Sequence, residues 1–310
     1  MKIPDVTGYA VRRLALAVPM LLGTATIVFS LIHLIPGDPA EVMLGPGAGA
    51  GDVQELRQRL GLDRPLAVQY AEYVTGLLRG DLGVSLRYHD PVGALIAERY
   101  PATLLLASAS LAIALLISLP AGVAAALRPG GLADRLASIG SVAALSVPSF
   151  WLGPLLILLF AIRLDWLPVS GMEDARGILL PSVTLALGLA ALLTRLLRTS
   201  LVEEMGSVYL RTAYARGLSR PAAALRHALR NALPPVITIA ALQLGSLLTG
   251  AILTETIFAW PGIGRLLVQA IAHRDYPVVQ GCVLLIAVTY LAVNLAADLL
   301  HGLLDPRAVA

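Results

Sequence analysis

Six apolar stretches divide this chain, and its charged residues all fall outside them. They are Leu14–Ile35, Pro101–Leu127, Leu136–Ile162, Gly177–Thr194, Asn231–Thr254 and Tyr276–Ala297, each without Asp, Glu, Lys or Arg. Each reaches about 18 residues or more, enough for a helix to cross roughly 30 Å of hydrocarbon. None shows the strict apolar/polar alternation of a barrel strand. A helix satisfies its own backbone N–H and C=O groups, which hydrocarbon demands, so six transmembrane helices are predicted. Pro120, Pro148, Pro154, Pro181, Pro234 and Pro235 lie in or at the ends of these runs and predict kinks. The first run follows Lys2, Arg12 and Arg13, as in a secretory signal. Its apolar part, about 20 residues, is longer than a signal core of about 7–15, and no small-x-small site follows; it reads as a retained helix.

Composition agrees with a bilayer as solvent. The 310 residues are 57% hydrophobic and 14% charged, with mean hydropathy +0.78, against about 25% charged in soluble domains. Net charge is only +3 and the arginines sit at segment ends, which argues against a nucleic-acid face. One Lys among 23 basic residues, with much Ala, Gly and Pro, suggests a GC-rich bacterial source.

Charge also orients the chain. With the N-terminus inside, the inner segments hold Lys2, Arg12, Arg13, Arg128, Arg135, Arg195, Arg198, Arg211, Arg216, Arg220, Arg226, Arg230 and Arg307. The short outer loop between the third and fourth runs carries Arg163 and Arg176 beside Asp165, Glu173 and Asp174. Both termini are therefore expected on the cytoplasmic side. Residues 1–35 form an N-terminal segment with the first helix, 36–100 an extracytoplasmic loop, and 101–310 a core of five helices. The long outer loop balances nine acidic residues against six arginines, and Val53–Leu60 reads as a short helix capped by Asp52. A loop of that length is usually functional, and it is expected to receive a partner.

The missing motifs narrow the chemistry. A P-loop needs a Lys, and the only one is Lys2. There is no H-E-x-x-H, no Cys/His cluster and no G-x-S-x-G. The five histidines (His33, His89, His227, His273, His301) are scattered, and Cys282 has no disulfide partner. Cys282 reads as a small packed hydrophobe.

The most informative loop lies at about 198–231. Ser207 can cap a short helix that Gly217 ends in the left-handed conformation. Ser219 can cap a second helix that tolerates Pro221 in its first turn. There Ala222, Leu225 and Leu229 share one face, and Arg226 and Arg230 another. The second helix fits a membrane surface, with its arginines on lipid phosphates. The first, with Arg211, Thr212, Ala213, Ala215 and Gly217, is built for close insertion into a protein groove.

Several motifs stand in order along the chain: PGDPA (Pro36–Ala40), LGLDRPLAVQY (Leu60–Tyr70), GDLGVS (Gly80–Ser85), RTAYARGLS (Arg211–Ser219), RHALRNALPPV (Arg226–Val236), ETIFAWPGIGRLL (Glu255–Leu267), RDYPVVQG (Arg274–Gly281) and LDPR (Leu304–Arg307). With them the chain resembles, over nearly its whole length, the inner-membrane permease subunits of binding-protein-dependent ABC importers. The branch is that of dipeptides, oligopeptides and nickel. The wider superfamily opens its loop motif with Glu-Ala-Ala where this chain has Arg211, Thr212 and Ala213, and its spacing from Gly217 to Asn231–Pro234 is longer here. Both departures suit the peptide branch.

The resemblance implies an all-α membrane protein with a type I importer (MetI-like) bundle. It implies that Tyr209, Arg211, Thr212, Ala213, Ala215, Arg216, Gly217 and Leu218 form a coupling helix docked in a separate ATPase subunit. It implies two ATP-binding subunits, a second homologous permease, an extracytoplasmic substrate-binding protein, and surrounding inner-membrane lipid. ATP and Mg would sit on the partner subunits, with no cofactor or catalytic site on this chain. Di- and oligopeptides are the expected cargo; nickel chelates and glutathione are alternatives within the same architecture.

Polar residues along the bundle are candidates for the translocation path: Gln243, Thr254, Glu255, Thr289 and Asn294. Glu255 is expected at the outer interface, where a charge costs little. Ala241, Gly245 and Thr249, and likewise Ser246 and Gly250, form small-x-x-x-small rows suited to close helix contact, within this subunit or with a second permease. An ion-driven secondary transporter would show paired intramembrane carboxylates or broken-helix repeats, and neither is visible. A membrane hydrolase would need a nucleophile–base or metal pair within the bundle, and His33 is the only histidine well inside a run.

Overall fold

A computed structural model describes residues 6–34, 38–45, 47 and 49–304, with side chains over 15–298 other than Leu31 and Gly250. Pro36 and Gly37 of PGDPA, Asp305–Arg307 of LDPR and the Gly250 end of the second small-residue row lie outside these. All named elements are helical; among the described residues the sole extended pairing is one bridge between Val84 and Pro91. In chain order they are α1 (Val6–His33), α2 (Pro39–Leu44), α3 (Ala50–Arg59), α4 (Leu66–Leu78), α5 (Val92–Leu127), α6 (Leu132–Ser146), α7 (Ser149–Leu156), α8 (Leu179–Met205), α9 (Val208–Ala215), α10 (Arg220–Ala223), α11 (Leu229–Ile257), α12 (Ile263–Ala272) and α13 (Tyr276–Leu304).

Among the described residues, four continuous helices are long and apolar enough to cross a bilayer: Val92–Leu127, Ala175–Met205, Arg220–Thr249 and Tyr276–Asp298. The pair α6–α7, extended by a π-helical turn over Ile157–Arg163, is long and apolar enough only when its two arms are taken together, and it makes a fifth where the bent pair counts as one span. The first expected span is helical throughout α1, a helix of 28 residues whose side chains are described from Ala15 onward. The third expected span is not one straight helix, because α6 and α7 meet at 100°. Val147 and Pro148 are extended there, ψ 117° and 138°. The ring of Pro148 pushes the preceding residue out of the helical region, and the helix stops. Pro101 and Pro120, by contrast, lie inside an unbroken α5.

The second loop helix also differs from expectation. α10 runs through a π-helical turn at Ala224–Ala228 directly into α11. That turn adds a residue and rotates the faces, so Ala223, Ala224 and Ala228 are buried while Leu225 is exposed. Of the expected apolar face, Leu229 packs against the core and Ala222 is half-buried, while Leu225 faces outward. Pro221 does sit in the first turn of α10.

α2–α4 gather at the end of the bundle opposite α9. Asp38 caps α2 through Oδ1, 3.1 Å from the Ala40 N–H, and accepts a bond from Arg57 on α3. That guanidinium holds the Asp38 carboxyl below the ordinary carboxylate range. α3 starts after Gly49, which places Asp52 in the first turn and not at the cap. α4 leans on α1 through Tyr70 and Tyr73, whose rings lie 5.3 and 5.6 Å from that of Phe29. The GDLGVS and RDYPVVQG motifs explain one another: Ser85 Oγ donates to Asp275 Oδ2 at 2.5 Å, and the Leu86 and Arg87 N–H groups reach the same carboxylate at 3.3 Å. Arg274 donates to the Val42 carbonyl at 2.9 Å, tying α2 to the same corner.

Candidate functional site

α8 ends at Gly206, and Ser207 turns extended to start α9. The expected serine caps form by backbone alone; neither Ser207 nor Ser219 makes a side-chain cap bond. Gly217 has φ +85°, the left-handed conformation expected, and its N–H donates to the Tyr214 carbonyl at 2.9 Å. Leu210 and Ala213 point inward and join a core with Leu197, Leu201, Ala223, Ala228 and Ala232. This seats α9 on α8 and α11 at once.

Tyr209 is a second anchor. Its hydroxyl donates to Glu204 Oε2 at 2.6 Å and accepts from Asn231 Nδ2 at 2.9 Å. Partial burial, and then the Glu204 carboxylate, raise the phenol above its ordinary pKa, which keeps it a donor. Tyr209→Phe removes both bonds, at about 0.5–1.5 kcal/mol each. Amide exchange over 207–217 is expected to quicken while the transmembrane helices keep their protection; unchanged exchange there would show that the anchor does not hold α9.

Of the expected coupling residues, Arg211, Thr212, Ala215, Arg216 and Gly217 are exposed, Ala213 is buried and Leu218 is half-buried. The outward face also carries Val208, 75% exposed, and Tyr214. These two apolar groups, and the anchors Leu210, Glu204 and Asn231, were not singled out by the sequence. An i, i+3 pairing of Leu210 with Ala213 was the available signal for the inward face. Among the described residues neither Arg211 nor Arg216 has an ion-pair partner. The surface is a basic, small-residue ridge with two apolar knobs on a rigid base.

At the other end of α11, Glu255 is not at an exposed interface; it is fully buried. Oε1 accepts from Thr103 Oγ1 at 2.7 Å and Oε2 from the Arg265 N–H at 3.0 Å. Thr103 in turn accepts the Ile263 N–H at 2.9 Å. Trp260 donates from Nε1 to the Ala102 carbonyl at 2.8 Å, and the Arg265 guanidinium bonds the Ala259 carbonyl at 2.6 Å. ETIFAWPGIGRLL is thus a buried turn between α11 and α12, closed around one carboxylate and tied to α5. Gly262 and Gly264 leave room for it: a Cβ at Gly262 would lie 2.2 Å from Glu255 Oε1.

The other path candidates are not brought together. Thr254 is buried next to Glu255, and Thr289 is buried against the Tyr100 hydroxyl at 3.0 Å. Gln243 and Asn294 are half-buried. A Cβ on Gly245 would meet the Tyr290 ring at 3.0 Å, so the Ala241–Gly245–Thr249 row includes a contact with α13 of the same subunit. Cys282 is buried, and no cluster of metal-ligating residues occurs among the described residues.

An all-helical membrane bundle with an outward-facing α9 is the architecture of an ABC importer permease, and comparison with known proteins agrees. Residues 118–309 match the family "Binding-protein-dependent transport system inner membrane component", and residues 6–107 match the N-terminal family of the same transport-system membrane components. The chain belongs to this family: it is a multi-pass permease of a binding-protein-dependent ABC importer. It is 42% identical, over 96% of its length and 98% of the relative's, to the glutathione transport system permease protein GsiC of Salmonella typhimurium (strain LT2). The protein of that name in Escherichia coli (strain K12) is 40% identical over the same shares. In fold it is similar to a chain of the inward-facing MetNI methionine ABC transporter, with TM-score 0.57 and 20% identity over 68% of this chain and 96% of that one.

Proposed function

We propose that this chain forms half of the translocation path of an ATP-driven importer for di- and oligopeptides. A second homologous permease forms the other half, two ATPase subunits bind and hydrolyse ATP with Mg, and this chain performs no catalysis. A substrate-binding protein delivers cargo to the outer end built by residues 36–100, and both termini face the cytoplasm. The exposed ridge of α9 carries this reading: its basic and apolar side chains face outward, while Leu210, Ala213 and Tyr209 anchor it to α8 and α11. Nucleotide-driven closure of the ATPases moves α9, and α8 and α11 tilt with it between inward-open and outward-open arrangements. Gln243 and Asn294, half-buried on α11 and α13, remain the candidates to meet substrate; Thr254, Glu255 and Thr289 are buried in packing.

Similarity to permeases named for glutathione supports a peptide-like cargo, since glutathione is itself a tripeptide with one γ-linkage. Uptake into proteoliposomes holding the full complex tests this. ATP-dependent accumulation of a labelled tripeptide is expected, competed by dipeptides or by glutathione. Transport of a nickel chelate without competition by peptides would contradict the cargo, and uptake driven by an ion gradient without ATP would contradict the class.

A further inference from the structure

We infer that Asp134 and Arg198 form a positioning joint through which movement of α9 reaches the bent helix pair α6–α7; this rests on the coupling role proposed for α9. Arg198 lies two turns before the end of α8, close to the start of α9. Its Nε donates to Asp134 Oδ1 at 2.6 Å and its Nη2 to Asp134 Oδ2 at 2.8 Å, a two-pronged bond of fixed orientation. The Gly130 N–H donates to the same Oδ2 at 2.8 Å, so one carboxylate holds the α5–α6 turn and the end of α8 together. The Asp134 side chain is only 7% exposed.

α6 packs against α8 and α5, but it encloses few of its own side chains. Among its residues only Asp134 and Ser141 are buried, while Leu132, Leu136, Ile139 and Val142 face outward. α6 is therefore a rod held to α8 along a narrow strip, with one charged joint near α9. Its far end meets the 100° bend at Val147–Pro148. Beyond the bend, α7 rests its Gly153 against Phe258 of the Glu255 turn, where an added Cβ would be 3.1 Å from the ring. Displacement of α9 rotates α8 and drags the start of α6, and the bend passes that motion to α7 and the outer turn. A lysine at 198 keeps the charge but loses the planar fork, so it holds α6 without fixing its angle.

The test uses the complete complex in proteoliposomes, with Arg198→Lys, Asp134→Asn and the exchange Asp134→Arg with Arg198→Asp. Basal ATP hydrolysis and complex assembly are expected to persist in the single variants. Stimulation by the loaded binding protein should fall about tenfold, a typical size for a coupling free energy. The exchange should recover most of that stimulation. A stimulation ratio unchanged in both single variants would overturn the joint. So would a loss of assembly or thermal stability in both that the exchange does not restore, since it would make the pair structural only. If the wild-type complex itself shows no stimulation, it is the coupling role of α9 that fails.

Discussion

Gly264→Ala is expected to lower the unfolding temperature of the detergent-solubilised chain sharply and to reduce its yield in the membrane. A Cβ there would lie 2.5 Å from the Ile252 Cα, a backbone atom of α11 that cannot swing aside. It would also lie 3.0 Å from Glu255 Oε2. Overpacking a filled core destabilises by about 1–3 kcal/mol, and by more where backbone must shift. Moving the carboxylate would strand the Thr103 hydroxyl and the Arg265 N–H, at about 1–3 kcal/mol for each unsatisfied buried group. Thermal unfolding followed by gel filtration checks this. A wild-type transition would mean that the turn does not close around Glu255.

Gly217→Pro is the second large effect, and it falls on function. Gly217 sits at φ +85° with its N–H bonded to the Tyr214 carbonyl. Proline fixes φ near −65° and has no N–H, so the turn after α9 must unwind. The core anchors Leu210 and Ala213 hold α9 to the bundle from its other side, so the chain should still reach the membrane. Stimulated ATP hydrolysis and uptake are expected to collapse together. Retention of both at wild-type rates would mean that the geometry of this turn plays no part in coupling.

Much of this architecture was legible because it is local. The apolar runs located four continuous spans and the bent pair α6–α7, and Gly217 and Pro221 took the backbone roles their chemistry suggests. What escaped depends on distant partners. Glu255 reads as a charge that should seek water until Thr103, on another helix, supplies its donor. Asp275 gains meaning only with Ser85, which lies at the other end of a long stretch of chain. Val147–Pro148 breaks a helix while Pro101 and Pro120 do not, a difference that one-dimensional spacing does not encode. The π-helical turn at Ala224–Ala228 shifts the register by one residue, and so Leu225 faces outward while Leu229 packs on the core, a split that the three-and-four spacing does not encode.

The central claim, that the outer face of α9 is where the ATPase docks, is tested most directly by a photo-crosslinker at Thr212 in the purified, reconstituted complex. A second crosslinker at Leu132, on the outward face of α6, serves as the control. The account predicts that Thr212 captures the ATPase subunit, with a yield that changes when nucleotide is added, and that Leu132 does not. Capture of lipid alone at Thr212, or of the ATPase equally at both positions, would contradict it.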